Sequence, residues 1–213
     1  MRPVLIALVV CVFAAGLAGC GESDAARAAR EAAAEQAAAE QAVKAKARAE
    51  AEAAMEAGRL KDLWTYSTDA PAGTGTQVAA SIRSTNDVDT DGQGARSVLL
   101  VFRDHSAWGR SSYLVLQAGD FRCSPRCTVS VAVDDAAAKA MAAHRPATDA
   151  AIAMFIDDER ALWRATAGAK RLSIEFPVKA GGTRTVTYDV AGLDRSKLPG
   201  WDPAPAKDVG RRN

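Results

Sequence analysis

The sequence predicts a mainly β globular domain, an antiparallel β-sandwich or barrel-like fold with one or two short helices, preceded by a long Ala-rich α-helix. Three observations carry that expectation. Residues 24–57 are about half alanine, with neither Gly nor Pro, so their intrinsic helix cost is close to the minimum available. Beyond Gly58 the composition changes to segments rich in β-branched and aromatic residues, separated by Gly, Asp, Asn and Pro. About eight such segments at short spacing within roughly 145 residues are the pattern of a sandwich or barrel.

In chain order, the first element is not part of the fold. Met1-Arg2-Pro3 carries one positive charge and precedes an apolar run from Val4 to about Ala18. At roughly 15 residues that run is shorter than the ~20 a membrane-spanning helix needs. A charged start, a short apolar stretch and small residues before a break describe a secretory signal peptide over residues 1–19. Leu17-Ala18-Gly19-Cys20 resembles the lipobox of a bacterial lipoprotein. The resemblance implies cleavage before Cys20, acylation of the new N-terminus (residues 20–23), and attachment to a membrane through that lipid. A single acyl chain holds a protein only marginally, and the several chains implied here make attachment effectively permanent. Gly21 stands where an Asp commonly retains lipoproteins at the inner membrane. In a diderm this implies the outer membrane, facing the periplasm.

Residues 24–58 are expected to form a helical spacer. Ser23 suits the N-cap, Asp24 suits the positive helix end, and Gly58 is the expected stop. At 1.5 Å per residue the helix reaches roughly 50 Å. It lacks an apolar stripe, because Val43 and Met55, its larger apolar side chains, fall roughly 120° apart. Glu40/Lys44 and Lys46/Glu50 are favourable i,i+4 pairs, whereas Glu31/Glu35 and Glu52/Glu56 repel. A solvated spacer on a monomer is the expectation. An Ala-seamed coiled coil is the rival, and Ala buries too little surface at a and d positions to make it strong.

The globular domain is expected over residues 60–198. Val78, Ala80 and Ile82 alternate with polar neighbours. Segments 96–103 and 111–118 are apolar on both faces and read as interior strands, as does 151–156. Val129, Val131 and Val133, then Leu172, Ile174 and Phe176, then Val186, Tyr188 and Val190, each show a period of two. Lys179-Ala180-Gly181-Gly182 separates the last two as a hairpin turn. A helix is expected from Asp157 to about Ala167, with acids at its start and Gly168 at its end, and 136–143 is a candidate second helix. Residues 199–213 hold three prolines and scattered basic residues and read as a disordered tail.

The chain has 27 Lys and Arg against 26 Asp and Glu, and the basic count becomes 26 without Arg2. So balanced a chain has no strong field to collect nucleic acid or acidic lipid. Of four cysteines, Cys11 leaves with the signal and Cys20 takes lipid. Cys123 and Cys127 remain, an even pair in an oxidising compartment, read as a disulfide pinching a tight loop at Pro125. Closing so short a loop removes roughly 2 kcal/mol of chain entropy. A redox pair would want Cys-x-x-Cys before a helix, and here Cys-x-x-x-Cys precedes a strand. A zinc site would need further ligands, and His105 and His144 are the two histidines available.

Trp64-x-Tyr66, Ser84-x-Asn86, the two cysteines before a Val-rich strand, and Tyr188-Asp-Val-Ala-Gly-Leu193 occur in an order that resembles uncharacterised periplasmic and lipoprotein domains. The resemblance implies a β-sandwich-like domain and supplies no catalytic residues. Asp87, Asp89, Asp91 and Gly92 match the opening of an EF-hand calcium loop. The match stops there, since position 12 is Val98 and position 9 is Ala95. There is no Gly-x-Ser-x-Gly elbow. His105 beside Ser106 reads as an exposed loop histidine, and Gly73-Thr-Gly75 precedes a strand rather than a phosphate-binding helix. Trp64 and Trp163 are expected in the core, and Trp108, in the loop 104–110, is a candidate for exposure and contact with a partner rather than the leading expectation. The sequence therefore predicts a non-enzymatic, membrane-anchored envelope lipoprotein presenting a β-rich binding or adaptor domain to an envelope protein or ligand. No catalytic residue, metal or cofactor is assigned. The alternatives are a small-ligand- or calcium-dependent module, then a hydrolase.

Overall fold

A computed structural model of the chain describes residues 23–70, 75–146 and 152–202. Cys20 and the signal segment lie outside the described residues, as do 203–213 of the expected tail. The chain divides into two units, Met1–Ala51 and Glu52–Asn213.

The first unit is helical from Asp24 onward. It belongs to α1 (Asp24–Asp62), a 39-residue helix that buries none of its side chains. The Ser23 hydroxyl accepts from the Ala26 amide at 3.4 Å, as an N-cap should. Arg27–Glu31 at 3.1 Å and Lys44–Glu40 at 2.6 Å line the exposed surface, each contributing a few tenths of a kcal/mol. Among the described residues no helix is long and apolar enough to cross a membrane. Gly58 does not stop α1. Arg59 reaches back over it to the Glu56 carboxylate with two bonds of 2.8 Å, and Leu60 and Lys61 are good helix formers that carry the last turn to Asp62.

The second unit is mainly β. After α1 come β1 (Trp64–Asp69), β2 (Gln77–Arg83), β3 (Val88–Asp89), β4 (Ala95–Arg96), β5 (Leu99–His105), β6 (Gly109–Val115), β7 (Arg126–Val133), β8 (Lys139–His144) and β9 (Ala153–Ile156). Then follow α2 (Glu159–Ala165), β10 (Arg171–Pro177), β11 (Thr183–Asp189) and a 3₁₀ turn (Arg195–Lys197). Nine strands form one antiparallel sheet in the order β1-β2-β5-β6-β9-β8-β7-β10-β11, with β3 and β4 a separate hairpin. Alternation sends Ile82, Leu100, Phe102, Leu114, Met154, Ile156, Val129, Leu172, Ile174, Phe176, Val186 and Tyr188 into one core.

No ladder joins β1 to β11, so the sheet is not a closed barrel. It nevertheless curls until β11 meets the segment that follows β2. The Thr85 amide donates to Thr187 O at 2.7 Å. The Asn86 carboxamide then accepts from Thr187 N at 2.8 Å and donates to Thr185 O at 3.0 Å. One side chain thus fills the places a tenth strand would take. Ser84 holds it there, donating to Asn86 O at 2.7 Å while accepting from Val98 N at 2.9 Å.

Two expectations are corrected here. Residues 136–143 do not form a helix, because 139–144 are β8, paired from Val131↔Lys139 to Arg126↔His144. A vacant place between β7 and β9 outweighs the helix preference of its alanines, and Ala143 is fully buried there. The expected tail does not begin at Pro199 either. Trp201 is 4% exposed, within 5.0 Å of Trp163 and 5.4 Å of Phe102 by ring centroids.

Cys123 and Cys127 sit at disulfide distance, with Cα atoms 4.8 Å apart, and Cys123 is buried in the core. Replacing both by Ser is expected to lower stability by about 2 kcal/mol, with the fold retained. Urea unfolding measures it, and an unchanged midpoint would show that the bridge carries no stability.

Candidate functional site

Segments 96–103, 111–118 and 151–156, expected to be apolar on both faces, do supply the central strands β5, β6 and β9. Their second face is not buried under another layer. Val101, Tyr113 and Phe155 are register partners across these strands, followed by His144 on β8. This row runs over the outer surface of the sheet, and Tyr113, Phe155 and His144 in it are half-buried. The Tyr113 and Phe155 rings are 4.9 Å apart, and His144 stacks on Phe155 at 5.6 Å. Asp157 fixes the imidazole through Nδ1 at 2.5 Å and also meets Arg126 at 3.4 Å.

Arg103 stands one row further along β5 on the same face. Its guanidinium lies 5.6 Å from the Trp108 ring centroid, 5.4 Å from Tyr113 and 6.0 Å from Phe155. Its Nε donates to Ser111 Oγ at 3.1 Å, and no carboxylate pairs with it among the described residues. Burial pushes the Tyr113 hydroxyl pKa up, against an opposing pull from Arg103, so the phenol is neutral at ordinary pH.

Trp108, on the β5–β6 hairpin, is 63% exposed. It is nevertheless held. Its ring stacks on His105 at 3.9 Å and 15°. His105, expected to be an exposed loop residue, is the buried last residue of β5. Its Nδ1 accepts from the amides of Ala107 at 3.1 Å and Trp108 at 3.3 Å, which places the ring hydrogen on Nε2. The neighbouring Ser106 hydroxyl instead accepts from Thr76 N at 3.0 Å. The histidine is thus a support for the tryptophan. Trp108 was a candidate exposed aromatic in the sequence, without being the favoured reading. Arg103, Tyr113 and Phe155 were not, although the surplus of apolar residues on three strands was their signal.

The acidic run does not assemble a cation site. Asp89 Oδ1 accepts from Gly92 N at 2.6 Å and Asp91 N at 3.1 Å, and these bonds hold its carboxyl below the usual range. Asp91 pairs with Arg96 at 3.3 Å. Both carboxylates serve the β3–β4 turn. Among the described residues no group of three or more His, Cys, Asp or Glu could hold a metal ion. Trp64 and Trp163 are core residues, as expected.

Trp, Tyr and Arg are enriched at binding hot spots, Trp and Tyr because they bury large areas at little entropic cost and Arg because its fork makes charged hydrogen bonds. Comparison with protein-family models, with curated proteins and with solved structures finds no match for this chain.

Proposed function

We propose that the protein is a membrane-anchored, non-enzymatic lipoprotein of the cell envelope, lipidated at Cys20, whose β domain is a binding or adaptor module. The face formed by Trp108, Arg103, Tyr113 and Phe155 is its recognition surface. The observation that carries this reading is Trp108. A large ring kept at 63% exposure by a buried imidazole, beside an arginine without a carboxylate partner, is an arrangement that folding alone does not require. The Leu17-Ala18-Gly19-Cys20 motif supports the anchor, and Gly21 supports the periplasmic face of the outer membrane. The exposed helix α1 serves as the tether.

The test has two arms. Cys20→Ser is expected to abolish labelled palmitate incorporation and membrane retention, and equal incorporation would overturn the lipoprotein assignment. Photo-crosslinking from position 111 in the intact envelope is expected to trap one partner. Trp108→Ala should weaken that capture by about 30-fold or more, the effect of losing a hot-spot residue. Thermal stability should be unchanged, since the ring is largely solvated. Capture insensitive to Trp108 and to Arg103→Ala would move the binding surface elsewhere.

A further inference from the structure

A second feature, independent of the outer face and of the anchor, lies where α2 meets the β5–β6 end of the sheet. A pocket of about 170 Å³ is lined by Arg110, Arg160, Trp163, Arg164, Trp201 and Asp202. Its polar lining is almost all donor. Arg110 on β6 is half-buried and pinned, its Nη1 donating to Gly200 O. Arg160 and Arg164 stand at i,i+4 on α2, and among the described residues neither has an ion-pair partner. Like charges at that spacing repel weakly, and a bound anion would neutralise both.

The walls are the two indoles. Trp163 Nε1 donates to Asp202 at 2.9 Å, whereas Trp201 Nε1 is buried without an acceptor. Asp202, the carboxylate of the lining, is already matched. Arg195 meets it at 2.6 Å, and this bond, then that from Trp163, holds its pKa below the usual range. The Asp104 carboxylate packs against Gly200, whose missing side chain lets the two approach, since a Cβ there would overlap Asp104 Oδ2; Asp104 is not among the lining residues. Three arginines therefore line a small concavity whose one acid is already paired.

We propose that this pocket binds a phosphate group. Three guanidiniums offer forked donors that match a tetrahedral dianion, and indole walls exclude water around it. A volume of 170 Å³ takes one phosphate with a short stem and leaves the rest of the molecule outside. Free phosphate and the phosphate of a lipid headgroup share this chemistry.

The test uses the full chain and follows the indole N–H resonances of Trp163 and Trp201 during titration. The probes are inorganic phosphate, glycerol 1-phosphate, and dihexanoyl phosphatidate below its micelle concentration. Saturable shifts at both indoles are expected. Arg160→Gln and Arg164→Gln should each weaken binding about tenfold, the loss of one charged hydrogen bond. Both positions are exposed on α2, so the unfolding midpoint should not move. Arg122→Gln removes an equal charge at an exposed position outside the pocket lining and should leave affinity unchanged. Tighter binding of the phosphatidate identifies a lipid headgroup, and tighter binding of inorganic phosphate a free ion. Absence of saturation, or equal losses in Arg122→Gln and Arg160→Gln, overturns the site.

Discussion

Trp201→Ala is expected to cost the β domain about 3–5 kcal/mol, the range for emptying a buried aromatic site. The residue lies in a stretch whose prolines and charges resemble a tail, yet its ring completes a cluster. Phe102 sits at its centre, 5.2 Å from Trp163 and 5.4 Å from Trp201, both edge-on, and 6.3 Å from Trp64. Arg195 stacks on Trp163 at 4.1 Å and is tied to Asp202, so the last described residues close over the aromatics as a unit. A domain of this size has ~5–15 kcal/mol in all, so the loss is roughly a fifth of its stability at the least. Urea unfolding should show a lower midpoint at unchanged slope. A loss under about 1 kcal/mol would mean that the ring is not part of the core.

Gly119→Ala is the second substitution expected to do severe damage, about 3 kcal/mol or more. Gly119 has φ +72°, where an L side chain is strained, and its Cβ would stand 2.3 Å from Thr90 O and 2.7 Å from the carbonyl carbon. Neither partner yields easily, because Thr90 is anchored by its own hydroxyl, which donates to Ala118 O at 2.7 Å. Gly92→Ala is the comparison. It shares the positive φ, at +80°, but its Cβ would meet open space. It should therefore cost only the conformational strain, about 1–2 kcal/mol. Equal midpoint shifts in thermal unfolding would show that the Thr90 contact relaxes freely.

The sequence made the β domain, α1 and the placement of α2 legible, because each rests on local signals. Period-two alternation marked β7, β10 and β11, alanine marked α1, and the acids from Asp157 with Gly168 marked α2 over 157–167, two residues longer at each end than the helix Glu159–Ala165. What escaped depends on partners far away in the chain. β8 is a strand only because β7 and β9 leave it a place, and its alanines favour helix when read alone. Trp201 is core only because Phe102 and Trp163 wait for it. The candidate face failed to appear for a related reason. An outward Tyr113 or Phe155 between inward apolar residues reads as a fully buried strand, and only register shows that three such positions align beside Arg103.

Asn86 has a consequence for how copies of this domain could meet. A sheet grows by adding strands to an edge whose N–H and C=O groups are unpaired. At β11 the central groups are already occupied by Thr85 and Asn86, while the outer edge of β1 has no backbone partner among the described residues. Edge-to-edge association then has one open terminus per molecule. Two copies joined through β1 about a two-fold axis would use up the one uncovered edge of the nine-stranded sheet, so extension of that sheet ends at a pair instead of propagating into a fibre. A single carboxamide, spent as a surrogate strand, makes polymerisation by sheet extension self-limiting.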